Sequence, residues 1–219
     1  MGRFKLGTVN WKYIAGEVLL IFIGINLAIW FNTWNTNREI DKKKKTALHM
    51  IQKEIQNNLE DLANAEKNNQ QIPKSIKIYE GMTSGDAGVI QATPQTIRKF
   101  QAQFPGFYTV TDSVPLGDNR FAYTGGTFIN LELTELSKIA WETAKGTAIA
   151  NEFAYECLYA LEDMYSLQDM VQREMGKASE ALQVGNIELL LKILEFINQL
   201  NPQLVADYKN MLAGLDDCY

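Results

Sequence analysis

The sequence has few of the residues on which active sites and metal centres depend. Its one histidine, His49, lies in a polar helical stretch, so we predict a solvated surface position and no Ser-His-Asp or Cys-His site. Zincin sites need two histidines and are excluded. The two cysteines, Cys157 and Cys218, have no paired spacing, so they form neither a metal-ligand pattern nor a disulfide framework. One bridge between them would fit an oxidising compartment.

The motifs of phosphate loops and di-iron bundles are also missing. No Gly-Lys-Ser/Thr follows the glycines of residues 105–130. Glu152, Glu156 and Glu162 lie on one predicted helix, but Glu-x-x-His pairs are absent, so we interpret these glutamates as solvated. We therefore expect no catalytic residue, no cofactor and no metal, and we predict that the protein is not an enzyme.

Basic residues are outnumbered by acidic residues beyond the first 45 residues. The chain carries 21 basic and 26 acidic residues, a formal net charge of −5. Many of the basic ones crowd near the N-terminus: Arg3, Lys5, Lys12, Arg38, Lys42, Lys43, Lys44 and Lys45. The remainder is more acidic than the average, which argues against a nucleic-acid partner.

The chain has one long apolar run, Tyr13 to Phe31, in which Glu17 is the single ionisable residue. A helix needs roughly 20 apolar residues to cross a bilayer. Aromatic side chains that favour the membrane–water boundary bracket the run: Trp11, Tyr13, Trp30 and Trp34. We predict a transmembrane anchor over residues 11–35, with the lipid bilayer as partner. A buried core helix is the alternative, and a cleaved signal peptide is disfavoured because no small-x-small site follows.

One face of the anchor carries small and polar residues. Helical geometry puts Glu17, Ile21, Gly24 and Ala28 within roughly 40° of one another, and we call this set the span stripe. Gly24-x-x-x-Ala28 is the small-x-x-x-small arrangement that lets two helix backbones approach closely. A carboxylate in lipid costs a few kcal/mol, so Glu17 needs a partner, a proton or access to the interface. The span stripe predicts transmembrane association; the alternative for Glu17 is an interfacial residue that reaches water.

Residues 36–72 are predicted to continue the anchor as a long polar helix. Its narrow apolar seam suits one partner helix and consists of Leu48, Ile51, Ile55 and Leu62. Packing of this seam on the chain's own domain is favoured over a self-associating coiled coil. The lysine run either lies in solvent or contacts lipid phosphates, and it consists of Lys42, Lys43, Lys44 and Lys45.

The remaining residues predict one all-α domain. Residues 1–10 are read as a basic tail and 73–219 as a helical extramembrane domain. Residues 82–92 are a loop by composition, and 105–130 form an irregular segment with short extended pieces. Predicted helices cover 94–104, 131–145, a long stretch from Ile149 to Met175, 187–200, and a last helix after Asn201-Pro202. The fold class is therefore an N-terminal transmembrane helix that continues into a long helix, followed by a helical bundle.

The anchor also resembles a domain-of-unknown-function family of bacterial single-pass membrane proteins. The family pattern is Tyr-x-x-Gly-Glu, an aliphatic run, Ile-Gly-Ile, Ala and Asn-x-Trp-Asn. The residues that fit it are Tyr13, Gly16, Glu17, Ile23, Gly24, Ile25, Ala28, Asn32, Trp34 and Asn35. Asn26 and Trp30 depart from it, and the segment around Trp141 is similar more loosely. The resemblance implies an anchor and a largely helical domain, with no activity attached.

Orientation and function follow from these patterns. The count of basic residues slightly favours a cytoplasmic domain. The short acid-free tail and the resemblance favour the bacterial cytoplasmic membrane with the tail inside and the domain outside. We predict a non-enzymatic protein that acts by association, as a homo-oligomer or as an accessory subunit of another membrane protein. The alternative is a sensory or ligand-binding domain with a pocket between its helices and residues 105–130.

Overall fold

In a computed structural model, which describes residues 11–83 and 88–218, the chain begins with one very long helix. Helix α1 spans Trp11–Asn69, 59 residues without a break, which is about 88 Å. Its side chains are exposed as far as Glu39, and Ile40 is the first that is partly covered. The predicted anchor and the predicted juxtamembrane helix are thus one rod. The basic tail lies outside the described residues.

A mostly helical domain packs along the C-terminal half of α1, from Ile40 to Asn69. Its helices and 3-10 turns are α2 Gln71–Met82, α3 Pro94–Gln103, α4 Ile139–Gly146, a turn at Ile149–Glu152, α5 Tyr155–Gln183, α6 Ile187–Gly214 and a turn at Leu215–Cys218. Helices α5 and α6 form an antiparallel pair that covers α1. The predicted all-α class is confirmed at this level. The side chains of Thr93 and Asn186 cap α3 and α6, and each accepts a hydrogen bond from the backbone N–H three residues farther along.

A small antiparallel sheet, which the all-α prediction did not include, lies beyond the end of α1. Its strands are β1 Val89–Ala92, β2 Tyr108–Gly117 and β3 Arg120–Thr127, in the order β1-β3-β2. Asp118 and Asn119 both have positive φ, which makes the tight turn that joins β2 to β3. A side chain at Gly125 would collide with the carbonyl oxygen of Thr109, so glycine permits the close pairing. The irregular segment is therefore largely a hairpin.

Three predicted helix boundaries were wrong. Residues 131–138 form neither helix nor strand, because their backbone groups bond to side chains of α1 and α5. The long helix predicted from Ile149 begins only at Tyr155, after the turn at Ile149–Glu152. Helix α6 runs through Pro202 as one element, whereas the sequence predicted two. Proline removes one backbone bond and crowds the preceding turn. The burial of Leu200 and Leu204 on either side of Pro202 holds the helix together.

The bridge between Cys157 and Cys218 closes the domain. The two Cα atoms are 5.1 Å apart, and both residues are buried. The N–H of Ala154 donates to the carbonyl oxygen of Cys218 at 3.2 Å. Cys218 is thereby fixed to the start of α5.

Candidate functional site

Among the described residues, one helix is long and apolar enough to cross a membrane. It includes the apolar run of α1, and none of that run is buried within the chain. All four span-stripe residues are exposed: Glu17, Ile21, Gly24 and Ala28. A Cβ built on Gly24 would meet no atom within 4 Å. No described residue gives the Glu17 carboxylate a hydrogen bond or an ion pair. No element within residues 11–83 and 88–218 packs against this face.

The second polar residue of the run is satisfied without a partner. The Asn26 side-chain amide donates to the carbonyl oxygen of Phe22 at 2.7 Å, one turn back on the same helix. Glu17, by contrast, accepts no hydrogen bond from any described residue. Of these two polar side chains, only Glu17 therefore lacks a hydrogen-bond partner among the described residues.

The predicted interface anchors all project from α1. Their side chains are exposed: Trp11, Tyr13, Trp30 and Trp34. The Arg38 guanidinium lies 5.8 Å from the centroid of the Trp34 ring, one turn farther along. An aromatic ring next to a cation is typical of the depth at which headgroups begin.

The apolar seam belongs to the domain core and does not form a surface for a second chain. All four of its side chains are buried against the chain's own helices: Leu48, Ile51, Ile55 and Leu62. This is the packing that the sequence favoured over a coiled coil. The alternative of a self-associating coiled coil along this seam is wrong, since the seam is already covered.

The lysine run divides between core and surface. Lys44 is only 8% exposed, so its predicted contact with lipid is wrong. Its neighbours Lys42, Lys43 and Lys45 remain exposed. A run of four residues covers more than one full turn of helix, which explains why one member points inward. Lys42 and Lys43 line a groove on the same side of α1.

A buried carboxylate fixes the start of α4 against α1. Glu54 accepts from the Tyr165 hydroxyl at 2.7 Å, from the Ser137 hydroxyl at 2.8 Å and from the N–H of Ala140 at 2.8 Å. Helix α4 has no capping side chain of its own, so Glu54 serves as its cap from another helix. A carboxylate at a helix N-terminus is also favoured by the helix dipole.

Two asparagines of α1 hold residues 128–138, which we call the connecting segment. Asn58 bonds to both backbone groups of Ser137, at 2.7 and 2.8 Å. Three turns later Asn69 bonds to both backbone groups of Glu132, each at 2.9 Å. The two amides replace the ladder that a neighbouring strand would supply.

Helix α5 and helix α6 complete this polar network. The Gln168 amide donates to the carbonyl oxygen of Leu136 at 3.0 Å and accepts from the Tyr208 hydroxyl at 2.9 Å. Burial raises the pKa of Tyr165, and the hydrogen bond to Glu54 raises it further. Burial also raises the pKa of Tyr208. Both phenols therefore stay protonated and remain donors at neutral pH.

A groove of about 1050 Å³ lies between α1 and α4, and we call it the α1–α4 groove. Its floor is apolar: Ala47, Met50, Ile139, Ala140, Ala144 and Ile149. Its rim carries Lys42, Lys43 and Lys53, together with Glu39. The groove predicted between the helices and residues 105–130 also exists, at about 500 Å³, and is bounded by Ile72, Phe104, Phe107 and Phe128. The larger one lies elsewhere.

No family model, curated protein or solved structure matches the chain. The resemblance of residues 13–35 to a bacterial membrane family therefore stays a prediction. The features of the chain that bear on function are the span stripe, the polar network and the α1–α4 groove.

Sequence reasoning missed the groove and the network but contained a signal for one of them. Asn58 occupies a core position within the apolar seam, where a polar side chain must find partners. Glu54 lies one turn before it and is likewise buried. A polar pair at i and i+4 within a seam indicates a buried network. No sequence pattern of this kind indicated the groove, because the groove depends on the path of the connecting segment.

Proposed function

We propose that this protein is a non-enzymatic membrane-anchored subunit that acts by association through α1. The partner is a second copy of the chain or the helix of another membrane protein. The observation that carries the proposal is the uncovered span stripe. The chain packs the C-terminal half of α1 into its own core. It leaves Glu17 without a hydrogen-bond partner among the described residues, and it leaves Gly24 and Ala28 exposed.

The physical case is that two residue types coincide on one face. Gly24 and Ala28 remove side-chain bulk at successive turns, so a second backbone can approach. Glu17 on the same face can then hydrogen-bond across the pair, a contact worth roughly 0.6–2 kcal/mol in membranes. A helix that faced only lipid would gain more from leucine at these positions and would not carry a carboxylate.

The proposal includes a location. We place the protein in the bacterial cytoplasmic membrane, with the tail inside and the domain outside. The bridge between Cys157 and Cys218 supports this orientation, because disulfides persist in oxidising compartments and are rare in the cytosol.

Native mass measurement of the full chain in mild detergent tests the association. We expect wild type to exceed the mass of one chain, and Gly24→Ile and Glu17→Leu each to shift the assembly toward monomer. A loss of about 1.4 kcal/mol weakens association about tenfold. Glu17→Gln should do less damage, since glutamine can still hydrogen-bond.

Ala15→Ile is the matched control. Ala15 lies roughly 160° from Glu17 around the helix, so it adds similar bulk on the opposite face. It should leave the assembly intact. If Gly24→Ile and Glu17→Leu both leave the mass unchanged, the span stripe faces lipid and the proposal fails.

A second candidate function is a sensory or ligand-binding domain. The α1–α4 groove favours it, because its volume reaches the size of pockets that enclose a small ligand. Such a domain would signal through a separate partner.

A further inference from the structure

The α1–α4 groove opens close to the level at which α1 would leave a membrane. Trp34 is the last aromatic anchor, and Glu39 at the groove's mouth is about 7.5 Å farther along the helix. Headgroup regions add roughly 5–7 Å to each side of the hydrocarbon core. The groove then follows α1 to Asn57, about 27 Å away. A lipid can therefore enter it from the bilayer surface.

The floor of the groove exposes apolar side chains that the chain itself does not cover. Ile139 is 75% exposed and Met50 is 54% exposed. Ala47, Ala140 and Ala144 between them leave the space empty rather than filling it. A groove of this length and shape fits an extended hydrocarbon chain.

The rim supplies positive charge. Lys42, Lys43 and Lys53 are exposed, and within residues 11–83 and 88–218 no ion pair joins any of them to a carboxylate. Two carboxylates also line the groove: Glu39 at the rim, and Glu54, which is buried and accepts hydrogen bonds from three neutral donors. At the exposed rim, three ammonium groups thus face one carboxylate. The charge pattern selects an anionic ligand.

We propose that the α1–α4 groove binds an anionic phospholipid drawn from the membrane that α1 crosses. An acyl chain lies on the apolar floor, and the phosphate lies at Lys42 and Lys43 near the mouth of the groove. Lys53, about 16 Å farther along α1, adds positive charge to the rim. Phosphates near an anionic surface attract each nearby lysine, so three of them reinforce one another.

A second copy of the chain fits the groove less well. The rim needs an occupant that carries negative charge beside a long apolar part, and a phospholipid combines the two in one molecule. The apolar run of a second copy carries one carboxylate, Glu17, and lies at the level of the bilayer rather than at the level of the groove.

The inference rests on the proposed anchoring of α1 but not on its association. Trp141 provides the reporter, because it is buried and follows Ala140 of the groove floor directly in sequence. Its backbone N–H lies at Glu54, which is 23 residues and about 34 Å beyond Phe31. Bromine atoms on acyl chains inside the bilayer are too far away to quench it.

The experiment uses the full chain with Trp11, Trp30 and Trp34 replaced by phenylalanine, in vesicles of phosphatidylcholine with increasing phosphatidylglycerol brominated on its acyl chains. We expect the phosphatidylglycerol to quench Trp141, whereas phosphatidylcholine with the same bromination should not. The variant with Lys42, Lys43 and Lys53 all changed to glutamine should raise the half-quenching fraction about tenfold or more.

Two further variants sharpen the result. Replacing three exposed lysines of the distal region, Lys74, Lys77 and Lys99, with glutamine removes the same charge elsewhere and should change nothing. Thr143→Phe places a ring in the groove from an exposed position and should abolish quenching. Circular dichroism checks that each variant is folded.

Several outcomes overturn the proposal. Absence of quenching means that no acyl chain enters the groove, whether a second copy or an acidic helix occupies it instead. Equal quenching by both lipids, unchanged in the lysine variant, removes the selectivity for anions. Quenching of Trp30 and Trp34 in the unmodified chain reports the anchoring separately, so a failure of anchoring is distinguishable.

Discussion

The side chains of Glu54 and Asn58 accept hydrogen bonds from backbone N–H groups that a helix cap or a neighbouring strand usually satisfies. They lie one turn apart on α1 and bond to backbone groups at the end of the connecting segment and the start of α4. This is the physical reason why residues 131–138 do not continue α4 toward the N-terminus. Their composition predicted a helix, but two of the side chains that override that preference lie 79 and 63 residues away in the sequence.

Removing the Glu54 carboxylate should destabilise the domain. Glu54→Leu leaves the Tyr165 hydroxyl, the Ser137 hydroxyl and the Ala140 N–H without their acceptor, and we expect a loss of about 3 kcal/mol. Glu54→Gln should cost about 1 kcal/mol, because it keeps one acceptor oxygen. Unfolding of the full chain in mild detergent, followed by circular dichroism, measures both.

Glu60→Gln is the control, since Glu60 is exposed on the same helix. Equal stability of Glu54→Leu and Glu60→Gln would contradict a structural role for the buried carboxylate.

At the scale of elements, the predictions succeeded where local chemistry decides and failed where distant contacts decide. The starts of α3 and α6 were predicted correctly because their caps, Thr93 and Asn186, act within three residues. The hairpin of β2 and β3 was predicted as an irregular segment with short extended pieces, since a turn at Asp118-Asn119 shows its positive φ angles only when the strands pair. Pro202 signalled a helix start, and the buried residues around it outweighed that signal.

The cysteine bridge joins the ends of the α5–α6 pair and should carry measurable stability. In a chain-entropy model, closing a loop of 61 residues contributes roughly 4 kcal/mol. Reduction should therefore lower the melting temperature of the wild-type domain by on the order of 10 °C. Thermal unfolding with and without reductant measures the shift.

The double variant Cys157→Ser, Cys218→Ser is the comparison for this test. Its melting temperature should not respond to reductant. Two free thiols in denatured, unreduced wild-type protein would mean that the bridge does not form in the cell.

For the whole molecule, the counts of basic residues left the orientation in the membrane open. The bridge between Cys157 and Cys218 favours a domain outside the cytoplasm. Val184 is 78% exposed at the end of α5, far from the apolar run. We expect Val184→Cys to react with a membrane-impermeant thiol reagent in intact spheroplasts. The native cysteines are bridged and buried, so they should not contribute to the signal.

Gly7→Cys in the basic tail tests the other side of the membrane. It should react only after lysis. Reversed labelling of these two variants would place the domain in the cytoplasm and remove the support that the bridge gives.

The unbroken course of α1 has a mechanical consequence. The helix contains no proline and no gap between its apolar run and Asn69, so it behaves as a stiff lever. A tilt of about 10° around the middle of the apolar run would swing its far end, roughly 70 Å away, by about 12 Å. The sheet beyond that end would move with it. Small changes in bilayer thickness or helix crossing angle are thus converted into large displacements at the tip of the molecule.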